Sequence, residues 1–163
     1  MDSGILIQVG AAPAKAASDG AVATKPGSAA ELTQTDPLDA QGPVCVVDDD
    51  SWICESLSVL LETYGFGVLT YPSGTAFLKD DGRRNATCLI VDQHMPGLAG
   101  LDLVAELHRQ EVALPTILIT GRLDTGIAQR AGELGVLAIL EKPFPVSRLV
   151  ELVRSTLGPG PQA

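Results

Sequence analysis

Aromatic side chains make up only 4% of the 163 residues, and there is a single tryptophan. Any core built from this chain is therefore aliphatic. Basic residues are also few: 11 Lys and Arg stand against 20 Asp and Glu, for a net charge of -9. A nucleic-acid binder needs a basic face to neutralise phosphates, so this balance argues against a direct nucleic-acid partner. It argues equally against docking on anionic lipid. No apolar run approaches the ~18–20 residues of a membrane span. No basic residue precedes the short apolar patch from Ile5 to Val9, and a secretory signal needs a positive start and a longer stretch. Cysteines number three, an odd count in a chain too large to need staples. They read as free thiols in a reducing cytoplasm.

What is present divides in two. Residues 1–42 are rich in Ala, Gly, Pro, Ser and Thr and hold no aromatic residue. Their acids (Asp2, Asp19, Glu31, Asp36, Asp39) outnumber their bases (Lys15, Lys25). Such a stretch has little to bury and reads as a disordered N-terminal extension that contributes almost nothing to the core. Residues 43–158 read as one folded domain, and 159–163 as a short tail. Hydrophobic residues reach 45% of the whole chain, enough for a core.

Within the domain, Val44–Val47, Cys88–Val91, Thr116–Ile119 and Leu137–Leu140 are short, nearly continuous apolar runs. Continuous rather than alternating runs predict strands buried on both faces, as in a parallel sheet. Gly67–Tyr71 is a weaker run and reads as an edge strand. Helical spacing recurs between the runs, at Ile53/Leu57/Leu60/Leu61/Tyr64, Leu101/Val104/Leu107, Ile127/Ala131/Leu134 and Val146/Leu149/Val150/Val153. Ser73 reads as the cap of a short helix carrying Phe77 and Leu78, and Gly65 as a helix stop. The helix holding Gly126 and Gly132 is expected to be the least stable. A fivefold β-α alternation implies an open α/β sheet with helices on both faces.

The polar residues that end these runs carry the chemistry. The first run ends in Asp48-Asp49-Asp50, and the later ones in Asp92, in Thr120 and in Glu141-Lys142-Pro143. In an open α/β sheet those ends share one edge, where ligands bind. Clustered carboxylates repel one another and call for a cation. Mg²⁺, or Mn²⁺ in its place, suits a site of one or two carboxylates, waters and a phosphate oxygen. Lys142 is a compact charge for a phosphoryl oxygen, and a carboxylate is left to act as nucleophile. The reading is phosphoryl transfer to Asp92. Asp50, followed by Ser51, reads instead as a helix cap, and Cys45 and Cys88 as core thiols. Trp52 reads as a surface residue near the pocket.

Four segments together resemble the receiver domain of two-component response regulators: Val46-Val47-Asp48-Asp49-Asp50, Leu89 to Gly97, Ile119-Thr120-Gly121 and Glu141-Lys142-Pro143-Phe144. The last two look most like the nitrogen-fixation-regulator subgroup. The resemblance implies a doubly wound five-stranded parallel sheet of flavodoxin-like order 2-1-3-4-5. It implies that Asp92 is the phosphoacceptor, that Asp48, Asp49, Asp92 and the His94 backbone carbonyl hold the metal, and that Thr120 and Lys142 contact the phosphoryl group. It implies a cis Lys142–Pro143 bond. Receivers usually carry an aromatic residue three positions before the lysine. Here Ile139 stands there and cannot make the same ring swing. The implied partners are a histidine kinase or phosphotransfer protein, and a downstream protein or second copy on the face of the fourth helix, fifth parallel strand and fifth helix. The protein would catalyse its own phosphorylation and dephosphorylation. His94 and Arg122 would flank the water path, slowing hydrolysis by blocking it; a neutral His94 could instead orient the water. Arg122 could also pair with a phosphoryl oxygen or with an acid across the pocket. Rival readings are a pseudo-receiver that only binds protein, an aspartyl-phosphate phosphatase or mutase, and a flavin binder. The second acid that the phosphatases need is replaced by His94, and no Ser/Thr-rich loop for a flavin phosphate follows the first strand.

Overall fold

The computed structural model describes residues 5–6 and 42–157. The elements in order are β1 (Ile5–Leu6), β2 (Val44–Val47), α1 (Ser51–Thr63), β3 (Val68–Tyr71), α2 (Gly74–Lys79), a 3-10 turn (Asp81–Asn85), β4 (Cys88–Asp92), α3 (Gly100–Arg109), β5 (Thr116–Thr120), α4 (Thr125–Glu133), β6 (Ala138–Glu141) and α5 (Val146–Thr156). Every expected strand and helix of the domain is present, with ends moved by a residue or two. The 3-10 turn carries no apolar period, so no pattern in the sequence marks it.

The sheet order is β1-β6-β5-β4-β2-β3. β3, β2, β4, β5 and β6 pair in parallel, which is the expected 2-1-3-4-5 order. β1 adds to the outer edge of β6, antiparallel, with Ile5 opposite Ile139 and Leu6 opposite Ala138. β1 falls within the stretch read as an N-terminal extension: a two-residue strand is too short to show periodicity, and its partner lies far along the chain. The rest of that stretch, the short tail and the Gly158-Pro159 stop lie outside the described residues.

Strand residues point alternately to opposite faces, so continuous apolar runs make two cores rather than one. Val44, Val46, Cys88, Ile90, Ile117, Ile119, Ala138 and Leu140 pack under α1 and α5. Cys45, Val47, Leu89, Val91, Leu118 and Ile139 pack under α2, α3 and α4. The cysteines are free and buried. Burial pushes the Cys45 thiol up to about 11 and the Cys88 thiol up to about 12, so both are core groups rather than nucleophiles.

Local chemistry sets the helix ends. Asp50 caps α1, its Oδ1 accepting from Trp52 N at 2.9 Å. Ser73 caps α2 through Ala76 N at 3.0 Å. Gly65 ends α1 with φ +95. α4 is the weakly held helix, with Ala131 its one fully buried residue.

Candidate functional site

The carboxyl ends of β2, β4, β5 and β6 deliver Asp48, Asp92, Thr120 and Lys142 to one edge. Carboxylate oxygens of Asp48, Asp49 and Asp92 lie within 4.8 Å of one another. Asp48 and Asp92 are 4% and 5% exposed, and Asp49 faces solvent. Burial raises the Asp48 carboxyl to about 6. The charges of Asp92 and Asp49 push the same way, while a hydrogen bond from Asp50 N and the charge of Lys142 push back. The Asp50 N–H donates to Asp48 Oδ1 at 2.9 Å, so one stretch of backbone both caps α1 and holds the acid.

Asp92 is held on one side only. Its Oδ2 accepts from His94 N at 3.0 Å. Its Oδ1 is buried and receives no hydrogen bond. Lys142 Nζ stands 3.2 Å from that oxygen, close enough to pair in charge but not aligned to donate. A buried carboxylate oxygen without a donor costs free energy, and such a vacancy in the bonding pattern marks a place for a ligand. The lysine approaches on a loop whose Lys142–Pro143 bond is cis. Asp48, Asp49 and Asp92 therefore fit a small hard cation: their carboxylate oxygens lie close together, and one of them, Asp92 Oδ1, is buried without a hydrogen-bond partner.

Thr120 is fully buried. Its Oγ1 accepts from Arg122 N at 3.1 Å and lies 3.1 Å from Arg122 O. The ring of His94 also reaches it, with Nε2 3.1 Å from Oγ1. A hydroxyl has one proton and two lone pairs, so these contacts use its full capacity. To meet a new oxygen, Thr120 must exchange a partner. The Arg122 guanidinium makes no ion pair among the described residues. The backbone N–H and C=O of Arg122 are what meet the Thr120 hydroxyl.

Two supporting residues carry no signal in the sequence. Gln93 Oε1 accepts from Leu101 N at 2.8 Å, capping α3 where Ala99 has no side chain to do so. Glu141 Oε2 accepts from Leu123 N at 3.1 Å, tying the loop after Thr120 to the strand that carries Lys142. Gly100 adds a close contact of the backbone. A Cβ there would stand 2.7 Å from Asp92 O and 2.9 Å from Leu118 Cδ1, so only glycine lets α3 approach the backbone of Asp92. Ile139 is fully buried on the α3–α4 side.

A family model described as the response regulator receiver domain matches residues 44–154. The transcriptional regulatory protein FixJ of Azorhizobium caulinodans is 39% identical over 116 residues, which is 71% of this chain and 55% of that protein. The C4-dicarboxylate transport transcriptional regulatory protein DctD of Pseudomonas aeruginosa is 37% identical over 129 residues, covering 74% of this chain and 26% of that protein. The solved structure of FixJ-N matches with a TM-score of 0.65 at 32% identity, over 71% of this chain and 93% of that one. The chain spans about half the length of the FixJ proteins it matches. Some of these relatives are transcriptional regulators by name, so the acidity of this chain does not exclude a nucleic-acid partner for the system it serves. No described helix is long and apolar enough to cross a membrane. With the parallel order β3-β2-β4-β5-β6 and the acidic pocket at its carboxyl edge, the chain belongs to the response regulator receiver family.

Proposed function

We propose that the chain accepts a phosphoryl group on Asp92 from a histidine kinase or phosphotransfer protein and passes the signal on by protein contact. The observation that carries this reading is Asp92 Oδ1, buried, without a hydrogen-bond donor and 3.2 Å from the Lys142 ammonium. That oxygen is the nucleophile. It forms a bond to phosphorus while the bond to the donor's leaving atom breaks, giving an acyl phosphate. Lys142 pairs with an oxygen of the arriving group, and Thr120 gives up a present partner to meet another. Asp48, Asp49, Asp92 and the His94 carbonyl would hold Mg²⁺ or Mn²⁺, which offsets negative charge on the transferring group. In dephosphorylation, water bonds to phosphorus as the Asp92 O–P bond breaks, releasing inorganic phosphate and restoring the carboxylate.

Trp52 tests the metal part of this reading. It is the one tryptophan, is 72% exposed, and donates its backbone N–H to Asp50 beside the acids. Mg²⁺ should change its fluorescence saturably, and Asp49→Asn should weaken the response at least about tenfold in Kd. A pseudo-receiver would show no saturable change in the wild-type protein.

His94 governs signal lifetime in this account. Its ring stands exposed beside Asp92 and holds the Thr120 hydroxyl. Removing it opens the path for in-line water. Phosphorylated His94→Ala should therefore lose phosphate several-fold faster than wild type. Arg122→Ala should change the rate less, because the side chain makes no ion pair in the pocket. Slower decay in His94→Ala would mean that the imidazole orients the water instead.

A further inference from the structure

An edge strand presents a row of unpaired N–H and C=O groups, to which another extended segment can add. The two edges of the parallel set differ in character. β3, at one side, is partly open, with Leu69 36% exposed and Thr70 facing solvent. β6, at the other, is not open: Ala138, Ile139 and Leu140 are 0%, 0% and 1% exposed. Those three positions hold none of the usual protections of an edge, neither a charge nor a proline. β1 covers the strand instead, antiparallel, with Ile5 and Leu6 opposite Ile139 and Ala138.

The source of that strand is unusual in sequence terms. β1 precedes β2 in the chain, yet β2 lies inside the sheet and β1 at its far edge. The intervening sequence holds few large aliphatic residues and shows no helical periodicity of the kind a crossover helix needs. Two residue pairs form few hydrogen bonds and would hold a free peptide only weakly, so that it must be supplied in large excess. A tether changes this, because it keeps the segment near its site at an effective concentration on the order of mM. The result is a contact that is made within the molecule and is weak enough to be exchanged. β6 also carries Ile139 into the core beside α4 and leads directly to Lys142, so its outer edge is the flank of the strand that reaches the acidic pocket.

We propose that the outer edge of β6 is a strand-accepting interaction surface, and that Ile5–Leu6 of the same chain occupies it as an internal ligand. The partner that fits it is an extended apolar segment running antiparallel to β6, recognised mainly through its backbone. Any external segment of that kind, including one from a second copy, has to displace β1 first.

The test uses the full-length chain and the double variant Ile5→Pro/Leu6→Pro, since proline has no N–H to donate. Hydrogen exchange is followed at the β6 amides that point away from β5, with circular dichroism recording that the domain stays folded. Those amides should exchange at least about tenfold faster in the variant. Protection in wild type should be the same in dilute and concentrated protein, and a peptide of residues 1–10 added in excess should restore protection to the variant. Equal exchange in the two chains would overturn the proposal. Protection that grows with wild-type concentration would overturn it too, by showing that a second copy donates the strand. If the double variant unfolds, the same comparison with Leu6→Pro alone decides. None of these readouts depends on phosphorylation of Asp92.

Discussion

Replacing Asp48 by asparagine should stabilise the metal-free protein by about 2 kcal/mol at pH 7.5, an unusual gain for a single change in a buried position. The cause is the carboxyl raised to about 6 by burial and by the neighbouring Asp92 and Asp49. In the unfolded chain the same group titrates near ~3.9. The folded state thus holds the proton more tightly. Its relative stability is full below about pH 4, falls as pH rises toward about 6, and stays low above that. The amide keeps the shape, can still accept the 2.9 Å bond from Asp50 N, and carries no charge. Urea unfolding in EDTA measures this directly. The advantage of Asp48→Asn should be present at pH 7.5 and absent at pH 4. Mg²⁺ should then stabilise wild type more than the variant, since a ligand of the folded state alone stabilises by mass action. An Asp48→Asn protein no more stable than wild type at pH 7.5, or equally favoured at pH 4, would show that burial and the acidic neighbours do not raise the Asp48 carboxyl.

Much of the site is legible in the sequence because each of its residues ends an apolar run. Asp48, Asp92, Thr120 and Lys142 need only the rule that parallel strands of an α/β sheet expose their carboxyl ends together. The parallel sheet itself is legible in the unbroken Val, Ile and Leu of β2, β4 and β5. What stays hidden depends on contacts between segments that no local pattern marks. Gln93 reads as an ordinary loop residue, yet its side chain replaces the missing cap of α3. Glu141 reads as one more acid before a lysine, yet it holds the loop after Thr120. His94 reads as a gate for water, and its hold on Thr120 emerges only from the distance between two loops. β1 is hidden for a different reason: two residues carry no period, and the strand they pair with lies far along the chain.

The departure at Ile139 acquires a physical meaning from the same geometry. The side chain is fully buried in the cluster that holds Leu118, Ala131 and Val136, so the space that a swinging ring would enter is filled by an aliphatic group. Glu141 ties the loop after Thr120 to β6, and that loop leads into α4, whose one fully buried residue is Ala131.

Loss of the Asp92 carboxylate should abolish phosphoryl uptake altogether. Asp92→Asn leaves the acidic neighbours and Lys142 in place and removes only the nucleophilic oxygen that stands buried without a hydrogen-bond donor. An amide oxygen cannot form the acyl phosphate, so the effect is complete rather than graded. The most direct measurement is intact mass after incubation with acetyl phosphate. Wild type with Mg²⁺ should gain one phosphoryl group. Asp92→Asn with Mg²⁺ and wild type with EDTA should gain none. Equal labelling of wild type and Asp92→Asn, or no labelling of wild type with the metal present, would contradict the account.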